Sequence, residues 1–133
     1  MAEWRYVKPL ENEEIIKQAE TQLGITFNSS YIAFVKKYNG GRPPVSIFDT
    51  DKKSERTIKS FLSLNPADIE NILKTNLAVS KIRNDIIAFG IDNFGNYICF
   101  NKSDGTILFL DFESNETEYI AANFDAFLQI VNG

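Results

Sequence analysis

The sequence predicts an α+β fold: one domain over residues 1–133, a mainly antiparallel sheet with flanking helices, and a core from about residue 11 to 131. Three observations carry this. The apolar spacing is helical in the first half and switches to a two-residue period after Asn84-Asp85. Three apolar runs then follow one another across short turn-rich connectors, the pattern of consecutive hairpins. Finally, a chain of 133 residues with 44% hydrophobic and 24% charged content can bury a real core without disulfide staples. Phe is over-supplied at 11 copies, so the core is expected to be aromatic.

The elements are read in chain order. A first helix is expected from about Asn12 to Leu23, because Ile15, Ile16, Ala19 and Leu23 share one face and Gly24 can end it. A short extended piece, Ile25-Thr26-Phe27, leads to the capping pair Asn28-Ser29. The second helix carries Tyr31, Phe34, Val35 and Tyr38 as its stripe and stops at Asn39-Gly40-Gly41. Arg42-Pro43-Pro44 then forces an extended exit.

Ser46 to Asp49 and Thr57 to Leu64 read as strands around the charged turn Thr50 to Arg56. Asn65-Pro66 reads as the start of a third helix, asparagine as cap and proline at the first helical position, with Ile69, Ile72, Leu73 and Leu77 as its apolar face. Ile86 to Ile91, Asn96 to Asn101 and Thr106 to Phe112 are the hairpin strands. Asn123 caps a last helix with Phe124, Phe127, Leu128 and Val131 turned inward. Phe34, Tyr38, Phe124 and Leu128 should be buried against the sheet.

Composition removes several chemistries. There is no histidine, so no imidazole acid–base work and no histidine-ligated zinc. One cysteine, Cys99, allows neither an internal disulfide nor a cysteine-cluster metal site. It lies in the apolar run Tyr97-Ile98-Cys99-Phe100 and reads as a buried, inert thiol. Gly90-Ile91-Asp92-Asn93-Phe94-Gly95 has the wrong spacing for a dinucleotide fingerprint, and Asn39-Gly40-Gly41 lacks the Lys-Ser/Thr of a phosphate loop. Asp92, Asp104, Asp111 and Glu113 lack the spacing of a calcium loop and read as turn residues. No catalytic constellation, metal or cofactor is expected. No apolar run approaches a membrane span and the N-terminus has no secretory profile, so the expected setting is cytoplasmic.

Net charge is −4, which disfavours nucleic acid as the partner. The charge is unevenly spread. All 14 basic residues lie between Arg5 and Lys102, whereas Ser103 to Gly133 holds only acids: Asp104, Asp111, Glu113, Glu116, Glu118 and Asp125. That stretch reads either as a solvated face or as a docking surface for a basic partner. Asp92 and Asp104 fall at opposite ends of one strand. The docking reading therefore favours Asp111, Glu113, Glu116 and Glu118, the first two pointing the same way if both are in a strand.

These landmarks occur in a particular order. Leu23-Gly24-Ile25-Thr26-Phe27 is followed by Tyr31-Ile32-Ala33-Phe34-Val35-Lys36-Lys37-Tyr38-Asn39-Gly40-Gly41. Then come Ile86-Ile87-Ala88-Phe89-Gly90-Ile91-Asp92-Asn93-Phe94-Gly95-Asn96-Tyr97-Ile98-Cys99-Phe100-Asn101 and Gly105-Thr106-Ile107-Leu108-Phe109-Leu110-Asp111-Phe112-Glu113. The set resembles the SUKH superfamily of the Smi/Knr type, which includes the fungal cell-wall-assembly regulator and many bacterial immunity proteins. The chain departs from the family pattern at Asn28, where proline is common, and at Asn96 and Asn101, where aspartates are common.

The resemblance implies a non-enzymatic, protein-binding domain, monomeric or weakly dimeric. Its bacterial form neutralises a cognate toxin by direct contact. Many such toxins are nucleases with basic grooves, which gives the acidic segment a use. The alternative is a regulatory or scaffold module like the fungal members, for which disordered arms would be expected. A small-ligand binding domain or an uncharacterised enzyme is a third reading.

Overall fold

The computed structural model describes residues 3–132. In chain order these form α1 (Glu14–Leu23), α2 (Ser29–Tyr38), β1 (Ile47–Phe48), β2 (Arg56–Thr57), β3 (Ser60–Phe61) and α3 (Ile72–Val79). There follow β4 (Ile86–Ile91), β5 (Tyr97–Asn101), β6 (Ile107–Asp111), β7 (Glu116–Ala121) and α4 (Phe124–Asn132). The main sheet is antiparallel throughout, in the order β3-β4-β5-β6-β7. The fold is α+β, and β4 to β6 fall where the two-residue period places them. Asp92 makes the β4–β5 turn by accepting the N–H groups of Phe94 and Asn96, both at 2.8 Å. Gly95, at φ 84°, supplies the left-handed step.

One sheet face carries the core. Ile98 faces Phe109 and Phe100 faces Ile107 across strands, so these side chains share a side with Ile87 and Phe89. Against them α2 lays Tyr31 and Phe34, and α4 lays Phe124 and Phe127. The rings interlock: Phe89 stacks on Phe100 at 4.3 Å, Phe34 meets Phe61 at 4.5 Å, and Tyr31 meets Phe124 edge-on at 5.2 Å. Each fully buried ring contributes about 2–3 kcal/mol by its apolar area alone. Tyr38 and Leu128, expected inside, are only partly buried at the rim of this layer.

Three parts of the fold differ from the sequence expectation. The run from Thr57 to Leu64 is not one strand. It changes partner at Ile58-Lys59, where the Ile58 N–H goes to Ser46 and the Lys59 N–H to Ile91, so β2 pairs with β1 and β3 with β4. β7, in a stretch to which the sequence pattern assigns no element, is a full six-residue edge strand.

The third difference is α3, which begins at Ile72 rather than after Asn65. Asn65 is taken by the N-terminal segment: its amide donates to Pro9 O at 2.9 Å and its oxygen accepts the Glu11 N–H at 3.0 Å. Asn71 becomes the cap instead, accepting the Lys74 N–H at 2.8 Å. The helix face rotates accordingly. Ile69 and Leu77 are exposed, and Asn76 turns inward to hold both the N–H and C=O of Ala88, each at 2.9 Å. A buried polar side chain is tolerated there because it completes the open hydrogen bonds of a strand.

The segment before residue 11 also belongs to the structured body. The Trp4 ring stacks on Tyr38 at 5.0 Å and meets Phe34 at 5.1 Å, and the Lys8 N–H and C=O are both held by Asn39.

Candidate partner-binding surface

The four acidic residues favoured by the sequence do not form one surface. Asp111 closes β6 and faces Glu116 at the start of β7. Between them the chain turns through Glu113, and Asn115 takes the left-handed step at φ 63°. The Asp111 carboxylate organises this turn by accepting the N–H groups of Glu113 at 3.1 Å and Ser114 at 3.2 Å. Glu113 is therefore a turn residue and not a strand neighbour of Asp111. The two still belong to one tip, with Glu113 and Glu116 exposed and Asp111 half-buried.

Glu118 leaves the group. Its side chain is only 9% exposed and is gripped by Arg56, Nη2 to Oε2 at 2.6 Å and Nε to Oε1 at 3.1 Å. The Thr50 hydroxyl adds a third bond at 2.7 Å. Chiefly the Arg56 hydrogen bonds hold the Glu118 carboxyl below the usual carboxylate range, and Glu118 raises Arg56 in return. Cross-strand pairing puts Phe109 and Glu118 side by side, and the Arg56 guanidinium lies 4.4 Å from the Phe109 ring centre. This is a fork-on-carboxylate pair seated on an aromatic ring, a structural clamp and not a free charge.

The clamp belongs to a larger cover. The turn Thr50 to Glu55 folds over the outer edge of β7, where the Asp51 N–H reaches Tyr119 O and the Asp51 carboxylate accepts the Tyr119 N–H at 2.8 Å. Lys52 Nζ donates to Thr117 O at 3.2 Å. An edge strand blocked in this way does not template pairing with another chain. On the other side Arg83, itself paired with Asp85 at 2.6 Å, reaches toward Asn115 O. The sequence segment that holds only acids is thus lined by Lys52, Arg56 and Arg83 in space. What stays open is the tip formed by Asp111, Glu113 and Glu116.

Cys99 is fully buried, and burial pushes its thiol well up despite the opposing pull of Arg83. Asp92 is buried in its own turn, and exposed Asp104 caps the next one by accepting the Thr106 N–H at 2.9 Å. Among the described residues no three His, Cys, Asp or Glu side chains converge in a metal-holding group. No helix there is long and apolar enough to cross a membrane. Sequence reasoning missed Arg56 as the partner of Glu118, and no local signal could have linked residues 62 apart.

No curated protein matches the chain. A sequence model of the family described as SMI1-KNR4 cell-wall, in the SUKH group, matches residues 13–128, from just before α1 into α4. With that match covering most of the chain, and with the meander and aromatic layer in place, the chain belongs to the SMI1-KNR4 cell-wall family.

Proposed function

We propose that this chain is an immunity protein that neutralises a cognate toxin by direct binding, acting without chemistry of its own in the cytoplasm. Family membership carries the reading. The solvent-facing acidic tip of the β6–β7 turn supports a basic partner, since Glu113 and Glu116 have no cation within ion-pair distance among the described residues. Charges at such a rim act mainly on association rate, and they do so over a Debye length of about 10 Å at 0.1 M salt. A nuclease groove is the partner surface that fits best.

The reading expects a toxin domain in the neighbouring gene, and the test mixes the product of that gene with this chain. A one-to-one complex that abolishes toxicity is expected, and the double variant Glu113→Lys/Glu116→Lys should slow association about tenfold at low salt with little effect at high salt. An unchanged association rate removes the acidic tip from the contact. A complex that leaves toxicity intact, or binding only to host proteins, replaces the immunity reading with the regulatory-module one.

A further inference from the structure

The four arginines of this chain divide into two kinds. Arg56 and Arg83 are each forked onto a carboxylate, Glu118 and Asp85. Arg5 and Arg42 are exposed and have no carboxylate within ion-pair distance among the described residues. Yet they are bound to each other through the backbone, Arg5 N–H to Arg42 O at 3.0 Å and Arg42 N–H to Arg5 O at 2.7 Å. An antiparallel pair that exchanges both bonds puts its two side chains on the same side, with the Cα atoms about 5.5 Å apart. Like charges placed directly opposite one another oppose folding. The arrangement holds two cations side by side with no carboxylate between them among the described residues.

Both arginines line one open groove of about 760 Å³, walled by Pro43 and Pro44 and bordered by Lys59. The groove is rigidly framed. Trp4 is locked in the aromatic layer on one side of Arg5, and Lys8 is tied to Asn39 on the other. Tyr6 sits between them at φ 55°, a left-handed conformation unusual for an aromatic residue. That twist leaves Tyr6 65% exposed, with its ring centre 4.6 Å from the Arg42 guanidinium, a contact that fixes the fork in place.

We infer that the Arg5–Arg42 groove binds an extended acidic peptide segment of a partner protein, one with carboxylates at positions i and i+2. In a strand, residues two apart point to the same side at about 6.6–6.8 Å. That spacing suits two guanidiniums about 5.5 Å apart at their Cα atoms, each able to take a carboxylate bidentately. Tyr6 and the Pro43-Pro44 wall supply apolar contact for the residue between. A nucleic acid fits less well. The chain carries −4, Lys59 is already paired with Glu70 at 2.7 Å, and Glu3 also borders the groove, which leaves two free cations. The groove shares no residue with the acidic tip and does not rest on the toxin reading.

The experiment titrates a fluorescein-labelled Gly-Glu-Val-Glu-Gly peptide into the full chain at low salt. Anisotropy gives the affinity and amide chemical shifts give the site. Saturable binding is expected, with shifts confined to residues 5–6, 42–46 and 57–59. Arg5→Ala and Arg42→Ala should each weaken it about tenfold, Arg42→Lys should restore it only in part, and placing the glutamates side by side should weaken it as well. Circular dichroism of each variant checks that the fold is intact. No saturable binding, or equal affinity for the arginine variants, overturns the proposal. Tighter binding of a thymidine oligonucleotide or of inorganic phosphate at the same amides also overturns it, in favour of a phosphate site.

Discussion

Arg56 and Arg42 are both arginines laid on an aromatic ring, and they face opposite situations. Arg56 lies half-buried against Phe109 with Glu118 in its fork and Thr50 completing the carboxylate. Arg42 lies against Tyr6 in the open, with a second arginine rather than a carboxylate as its cross-strand neighbour. The first spends its charge inside the molecule and pins the turn over β7. The second keeps its charge available. The contrast shows why a tally of charges along the chain misjudges the surface. The acid-only C-terminal stretch loses Glu118 to a clamp, while a net-negative protein presents an uncancelled basic groove elsewhere.

Stability should separate the two arginines most clearly. Glu118→Ala leaves the partly buried Arg56 guanidinium without its carboxylate and should cost about 2 kcal/mol in urea unfolding. Arg42→Ala removes one of two like charges from the surface and should change stability by less than about 0.5 kcal/mol. Similar losses in both variants would end the distinction between clamp and groove.

Gly41→Ala comes next, because it attacks the groove's frame and leaves its charges untouched. A Cβ at this position would lie 2.9 Å from Tyr38 O and 3.3 Å from both Trp4 and Val7. Neither backbone oxygen nor the stacked indole can yield cheaply, so a loss of about 2 kcal/mol is expected. The acidic-peptide affinity should fall along with it. A variant as stable as the parent would mean that the N-terminal strap is not tightly seated.

The smallest effect is the clamp's share of an acid-side pH dependence to which Asp85 and Asp104, also lowered by their hydrogen bonds, contribute equally in parent and variant. Glu118 has a lowered folded-state pKa, so the unfolded chain takes up its proton first, at about pH 4.3. Its contribution is therefore complete above roughly pH 5 and is lost as pH falls through the lower folded value. Urea midpoints should drop over that window in the parent and drop less in Glu118→Gln. Parallel curves would show that Arg56 does not hold the carboxylate more tightly than water does.

Much of the fold was legible because its signals are local. Gly24 ends α1 and Asn28 caps α2 through the Tyr31 N–H at 2.8 Å, both within four residues of what they control. The β4–β6 meander follows from alternation and from turns whose own side chains close them. The third helix was misread for an equally physical reason. Asn65-Pro66 and Asn71 are both competent helix starts, and the choice fell to Asn71 because Asn65 is committed to Pro9 and Glu11, more than fifty residues away.

The candidate site divides the same way. The acidic tip could be read from Asp111, Glu113 and Glu116, since a turn keeps nearby residues together whatever the rest of the chain does. By itself the sequence determined α1, α2 and α4, the β4–β6 hairpin order, the aromatic core and the burial of Cys99, all of which follow from side-chain periodicity and short-range hydrogen bonding. Only the tertiary structure decided which charges remain free. Arg56 reaches Glu118 across 62 residues, and Arg5 meets Arg42 through a bridge that no periodicity announces. A charge is neutralised by whatever lies within a few ångströms of it, and chain distance says nothing about that once the sheet has closed.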